Sequence, residues 1–149
     1  MRRIILFCCV LLLFSCKSKS PKITMVLVKP EAVEMVKKNR ATDIGKRLLE
    51  SCNTSRFKVF STNEATDKVR QNATKDKISS ICKKINQRNG RFLGITLIDV
   101  TYNKITDEYI FRYSIDYEKK LYKRELNVTV NKENKVSAIA TKEVTPKPM

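Results

Sequence analysis

Histidine is missing from all 149 residues. Without imidazole there is no His-based triad, proton relay or His-ligated zinc site. Glycine is almost as scarce, with Gly45, Gly90 and Gly94 alone. That excludes a Gly-rich phosphate loop. The serines have no evident base. No zinc-finger Cys/His spacing or other recognised nucleic-acid motif occurs. Neither a metal nor a cofactor is expected. Long apolar runs are also lacking. Ile4 to Phe14 is the one unbroken stretch, and it falls short of the roughly 20 residues that span a bilayer. Acidic residues are few, 15 against 31 Lys and Arg, for a formal net charge of +16.

What is there begins with Met1-Arg2-Arg3, a short cationic start, followed by that apolar run and Ser15-Cys16. A positive start, a short apolar stretch and small residues at a cut site describe an export signal. An uncleaved anchor helix is the alternative, but Cys16 and Lys17 end the run early. Leu13-Phe14-Ser15-Cys16 resembles the lipobox of bacterial lipoproteins. That resemblance implies cleavage before Cys16 and a diacylglycerol on its thiol. It implies a location in the bacterial cell envelope, at the outer membrane facing the periplasm. Residues 1–15 are then the signal peptide and 16–22 a polar, charged tether. The expected domain is 23–143, with a frayed tail at 144–149. An Asp after the lipidated Cys, which resembles an inner-membrane retention signal, is absent. The tether is basic, so it gives no support to export to the cell surface.

Removing Arg2 and Arg3 leaves 29 Lys and Arg against 15 acids, a net +14. Such a charge fits an anionic partner. Export and the missing motifs argue against nucleic acid. An anionic envelope surface or a protein partner remains, as does a merely solvated Lys-rich surface. Each cation near an anionic membrane is worth about 1 kcal/mol. The basic clusters are Lys37-Lys38-Arg40, Lys83-Lys84-Arg88-Arg91 and Lys119-Lys120-Lys123-Arg124. If they converge, they form a docking surface.

Of five cysteines, Cys8 and Cys9 leave with the signal, and Cys52 and Cys82 remain. In an oxidising compartment a disulfide between them can persist. It would contribute roughly 3–4 kcal/mol through loop entropy. Two buried thiols are the alternative. Asn53, Asn72 and Asn127 stand in Asn-x-Ser/Thr sequons; the lipobox resemblance implies a bacterial source, in which they are coincidental.

Ile23–Val28 reads as a short strand or an apolar flap. A helix is expected from Pro30, with Val33, Met35 and Val36 on its apolar side. Ile44, Leu48 and Leu49 continue the helical pattern to Cys52. A looser helix follows over Phe57–Val69. Thr74 caps the next helix, where Ile78, Ile81, Cys82 and Ile85 form one buried stripe, and Gly90 closes it. From Phe92 the period becomes two. Strands are expected over Phe92–Asn103, Asp107–Glu118, Leu121–Val130 and Lys135–Glu143, with short turns between them. The expectation is an α+β domain, its helices packed on a curved four-stranded antiparallel meander.

The Thr74 helix start, the Ile-rich helix, Gly90-x-Phe92 and the long strands resemble small cystatin-like, nuclear-transport-factor-2-like domains, over about residues 41–142. The resemblance implies a cone with an apolar pocket between helices and sheet. Cys82 departs from the aromatic often found there. Ketosteroid isomerase, a member of that group, sets carboxylates and a tyrosine inside its cone. By alternation with Ile95 and Leu97, Asp99 would face the same side. Tyr109, Tyr113 and Tyr117 on the next strand would join it. A carboxyl group in an apolar pocket acts as base or donor. A bulge would instead turn Asp99 to water, and the tyrosines would be ordinary core. The leading expectation is a non-catalytic, lipid-anchored domain that binds a protein or a small apolar ligand. The alternatives are a pocket enzyme of isomerase or dehydratase type, and an envelope immunity or inhibitor protein.

Overall fold

The computed structural model describes residues 24–144. The expected signal peptide, tether and lipid-bearing Cys16 lie outside them, as does the tail beyond Val144. Val144 itself ends the last strand.

The fold is α+β: helices on an antiparallel sheet of five strands, not four. The strands are β1 (Met25–Val28), β2 (Phe92–Asn103), β3 (Glu108–Tyr117), β4 (Lys123–Val130) and β5 (Val136–Val144). They lie side by side in that order. The extra strand is the short apolar segment before the helices. Val28 sits opposite Val100, and Met25 opposite Asn103. Of the two readings of Ile23–Val28, strand or flap, the strand holds over Met25–Val28, and β2 supplies its partner from far along the chain.

Between β1 and β2 come α1 (Met35–Thr54), α2 (Asp67–Asn72) and α3 (Lys75–Asn89). The helix expected from Pro30 is only a 3-10 turn over Pro30–Ala32. Val33 is then extended and buried, which breaks the helix until Met35. Met35 and Val36 consequently face water. The inward stripe is Lys37, Ala41, Ile44 and Leu49, ending at Cys52. Lys37 is 6% exposed. Its Nζ donates to Glu34 at 3.2 Å and Asn134 Oδ1 at 3.0 Å, as a buried cation requires. Gly45 lets α1 lie close on the sheet. A Cβ there would stand 2.8 Å from the Leu126 side chain.

The segment expected as a looser helix has no regular structure over residues 56–61. It turns at residues 62–64, bridges Ala65 to Val136 and enters the short α2. Arg47 on α1 holds this turn. Its guanidinium donates to Glu64, packs over the Phe60 ring and lies 3.4 Å from Asp43. The hydrogen bond from Arg47 holds the Glu64 carboxyl down at about 2, from an ordinary 4.5.

α3 begins as expected at Thr74, whose Oγ1 accepts from Lys77 N, and ends at Gly90 with φ of 74°. It packs on α1. Cys52 and Cys82 are joined by a disulfide, and Asn86 Nδ2 donates to Cys52 O at 2.8 Å. Its apolar stripe is not wholly buried. Ile78, Cys82 and Ile85 are covered, whereas Ile81 is 50% exposed.

Replacing both Cys52 and Cys82 by Ala should lower the free energy of unfolding by about 3 kcal/mol, read from urea denaturation monitored by circular dichroism. A loss below about 1 kcal/mol would show that the link does not constrain the unfolded chain. The Arg47–Glu64 pair adds a pH signature. Glu64 is depressed in the folded state, so its stabilisation is complete above pH 4.5 and is lost as pH falls towards about 2. Glu64→Gln should flatten that limb of the stability curve.

Candidate functional site

On β3 the alternation behaves as the sequence indicates. Phe111, Tyr113, Ile115 and Tyr117 are buried on the helix side. On β2 the register slips. Leu97 pairs with Tyr113 and Val100 with Phe111, so three steps on β2 match two on β3. This bulge sits at Ile98. It keeps Leu97 and Val100 both facing inward and turns Asp99 to the opposite face, beside Arg112.

Asp99 is therefore not a pocket residue. Both of its carboxylate oxygens accept from Arg112. Arg112 also donates to Glu125 at 3.1 Å, and Glu125 lies 3.1 Å from Lys142 Nζ. These four residues run across β2, β3, β4 and β5 with alternating sign. The hydrogen bond from Arg112 holds the Asp99 carboxyl below its ordinary value. It is an ionised partner in a ladder, not a proton carrier.

The tyrosines do not gather into a pocket either. Tyr113 and Thr42 share a hydrogen bond of 3.1 Å between their hydroxyls. Burial raises the Tyr113 and Tyr117 phenols. Tyr117 packs edge-on to Phe92 with ring centres 6.2 Å apart. Tyr109 is half-buried, tilted against Tyr102 at 4.9 Å. All three serve packing.

The open space is elsewhere. A cleft of about 360 Å³ lies between α3 and β5. Leu48 and Leu49 of α1 lie at its base, Ile78, Ile81 and Ile85 on the α3 side, and Ile139 on the sheet side. The disulfide lies in the same lining. Lys68, Val69 and Asn72 close it at α2. Polar atoms are few. One is Ser137 Oγ, buried without a hydrogen-bond partner among the described residues. Such a cleft lies within the size range of small-ligand sites, about 300–1,000 Å³. A wider depression of about 980 Å³ lies across the disulfide, between the end of α1 and the far side of α3. Arg56, Lys75, Asp76 and Lys83 make it polar. An apolar pocket between helices and sheet is what the resemblance implied, but its lining differs: Asp99 and the tyrosines are absent from it, and Ile81, which read as core, is on its wall. The signal was an Ile stripe on α3 wider than one neighbouring helix can cover.

Two of the three basic clusters converge. The β3–β4 hairpin folds onto the end of α3: Lys119 N donates to Asn89 O at 2.9 Å, and Lys119 Nζ to Gln87 O at 3.1 Å. Arg88 stacks over Tyr122 at 4.7 Å and pairs with Glu143 at 3.1 Å. This joins the Lys83–Arg91 and Lys119–Arg124 clusters. The third cluster is at the opposite end, where Lys37 and Arg40 are bound to Asn134 of the β4–β5 turn. The chain also enters there, since Thr24 O accepts from Lys104 in the β2–β3 turn. No described helix is long and apolar enough to cross a membrane. No group of three or more metal-ligating side chains occurs among the described residues. Comparison with protein-family models, with curated proteins and with solved structures gave no match.

Asp99→Asn should leave the cleft unaltered and cost about 1 kcal/mol, as expected for a half-exposed ion pair on the open face of the sheet. Thermal melts and binding of an apolar dye would check this. Loss of dye binding in that variant would return Asp99 to the pocket.

Proposed function

We propose that this chain is a lipid-anchored protein of the bacterial cell envelope, attached through Cys16, whose domain binds rather than catalyses. The α3–β5 cleft is its binding site. The observation that carries the reading is the lining of that cleft: aliphatic on α1, α3 and β5, with a few polar atoms at its margin. That composition suits an apolar group held for its shape and hydrophobicity. The alternative, an isomerase or dehydratase, called for a carboxylate and tyrosines around one cavity. Asp99 stands on the other face of the sheet in an ion pair, which leaves that alternative without its base. The cystatin-like, nuclear-transport-factor-2-like assignment belongs to the same proposal. Helices followed by long antiparallel strands support it, and the leading β1 is an addition to the expected pattern.

The converged basic clusters favour a second contact. They occupy the end of the sheet away from the chain's entry. The two ends are separated by the length of β2, about 35 Å at 3.3 Å per residue. With the tether rooted in a bilayer at the entry end, the basic end reaches outward. An acidic protein suits that placement better than the anchoring membrane.

In cells fed labelled palmitate, the wild-type chain should carry label and Cys16→Ala should not. A label that survives Cys16→Ala would overturn the anchor. The full chain in lipid nanodiscs should bind an environment-sensitive apolar dye. Ile81→Glu, at a half-exposed position that can accept charge, should weaken the dye about tenfold, the loss expected on desolvating part of an apolar contact. Equal binding by both would remove the cleft from consideration.

A further inference from the structure

One wall of the cleft identifies what kind of molecule carries the apolar group. β5 is the last strand of the sheet. Among the described residues its outer edge is engaged only at Val136. There Thr66 N donates to Val136 O, and Val136 N to Glu64 O, each at 2.9 Å. From Ala138 to Glu143 no described strand lies on that side. On an edge strand, alternate residues aim their N–H and C=O groups at the missing neighbour, and each is a strong donor or acceptor. Natural edges are commonly blunted by charge, proline or a bulge. Here Lys142 and Glu143 guard only the end, and the stretch facing the cleft is Ala138-Ile139-Ala140. Opposite stands α3 with Ile78, Ile81 and Ile85. The cleft thus offers main-chain partners on one side and aliphatic side chains on the other. Strand addition uses this pairing, backbone bonds for affinity and pockets for alternate side chains.

We infer that the cleft receives an extended segment of an acidic partner protein as a sixth strand beside β5, with apolar residues at alternate positions. This rests on the cleft being the binding site proposed above, and it names the occupant. Charge selects the partner. Lys68 is in the lining. Lys77 and Lys84 lie one turn to either side of Ile81 on the same helix face. No carboxylate pairs with any of the three among the described residues. A second copy of this chain is the wrong occupant electrostatically. Residues 24–144 hold 25 Lys and Arg against 15 acids, a net +10, so two copies brought edge to edge repel. The six residues from Ala138 to Glu143 offer about 20 Å of edge, the length of an ordinary strand.

The test is selection of random peptides of about ten residues, a length that covers one strand, on the full chain in lipid nanodiscs, beside the apolar dye. Selected sequences should alternate apolar with Asp or Glu. N-methylation of alternate backbone nitrogens should weaken binding about tenfold on one face of the peptide, where a hydrogen bond is lost, and leave the other face unaffected. Lys68→Glu with Lys84→Glu should reverse the charge preference, and Ile81→Glu should weaken dye and peptides together. If the dye binds and no peptide is selected, or if the selected peptides tolerate N-methylation everywhere, strand addition falls while the binding site stands. If neither dye nor peptide binds, both fall. Sedimentation showing a dimer that Ile81→Glu dissolves would give the edge to a second copy and overturn the partner.

Discussion

The covalent link between Cys52 and Cys82 governs the architecture on the helical side of the sheet. α1 lies on the strands by itself, with Gly45 against Leu126 and Ile44 fully buried. α3 packs on α1, and the disulfide fixes it at the point where α1 ends. An amphipathic helix held in this way covers part of its stripe with its neighbour and leaves the remainder facing outward. The outward part, Ile81 with the rims of Ile78 and Ile85, forms one side of the cleft. The cleft lies between a helix packed on its neighbour and a sheet edge that has apolar surface of its own.

The two faces of the sheet follow different physics. The helix side is dry and close-packed, from Val100 through Phe111 and Leu126 to Val136. The other side is wet, and its middle is a chain of charges from Asp99 through Arg112 and Glu125 to Lys142. Cross-strand pairs of opposite sign stabilise neighbouring strands modestly. Alternating signs also make the exposed face a poor template for like surfaces. The single inserted residue at Ile98 assigns Asp99 to this ladder. It turns a candidate acid for chemistry into a structural ion, because a slip of one residue moves a side chain to the other face.

The ends of the domain differ as well. One end takes the chain in beside the β2–β3 turn. The other gathers the cations of α3 and the β3–β4 hairpin. Arg88 is spent on Glu143 and on the Tyr122 ring, so part of the positive charge fastens the hairpin to the helix. The surplus, together with Lys68, Lys77 and Lys84 by the cleft, gives the domain one electrostatic character over both of its open surfaces. An acidic partner that enters the cleft can meet the basic end in the same encounter, and charge of this kind speeds association as well as strengthening it.

Local chemistry was enough to read much of this chain. Thr74 as a cap, Gly90 as a helix end, the turns after Asn103 and Asn131, and the inward face of β3 all depend on neighbours a few residues away. So does the α+β order of helices and then strands. Cys52 and Cys82 could be named as a candidate pair, since only two cysteines followed Cys16. Other features were decided by partners distant in sequence. The four residues of β1 became a strand because β2 lay beside them. Val33 broke the first helix because the core claimed it. Lys37 took an inward position because Asn134, far along the chain, could satisfy its ammonium group. Asp99 changed faces through a bulge that shows in pairing and not in composition. The cleft belongs to no one element. It arises where a helix fixed by its neighbour stops short of a strand that has no further strand to pair with, and such a gap is a property of packing in three dimensions.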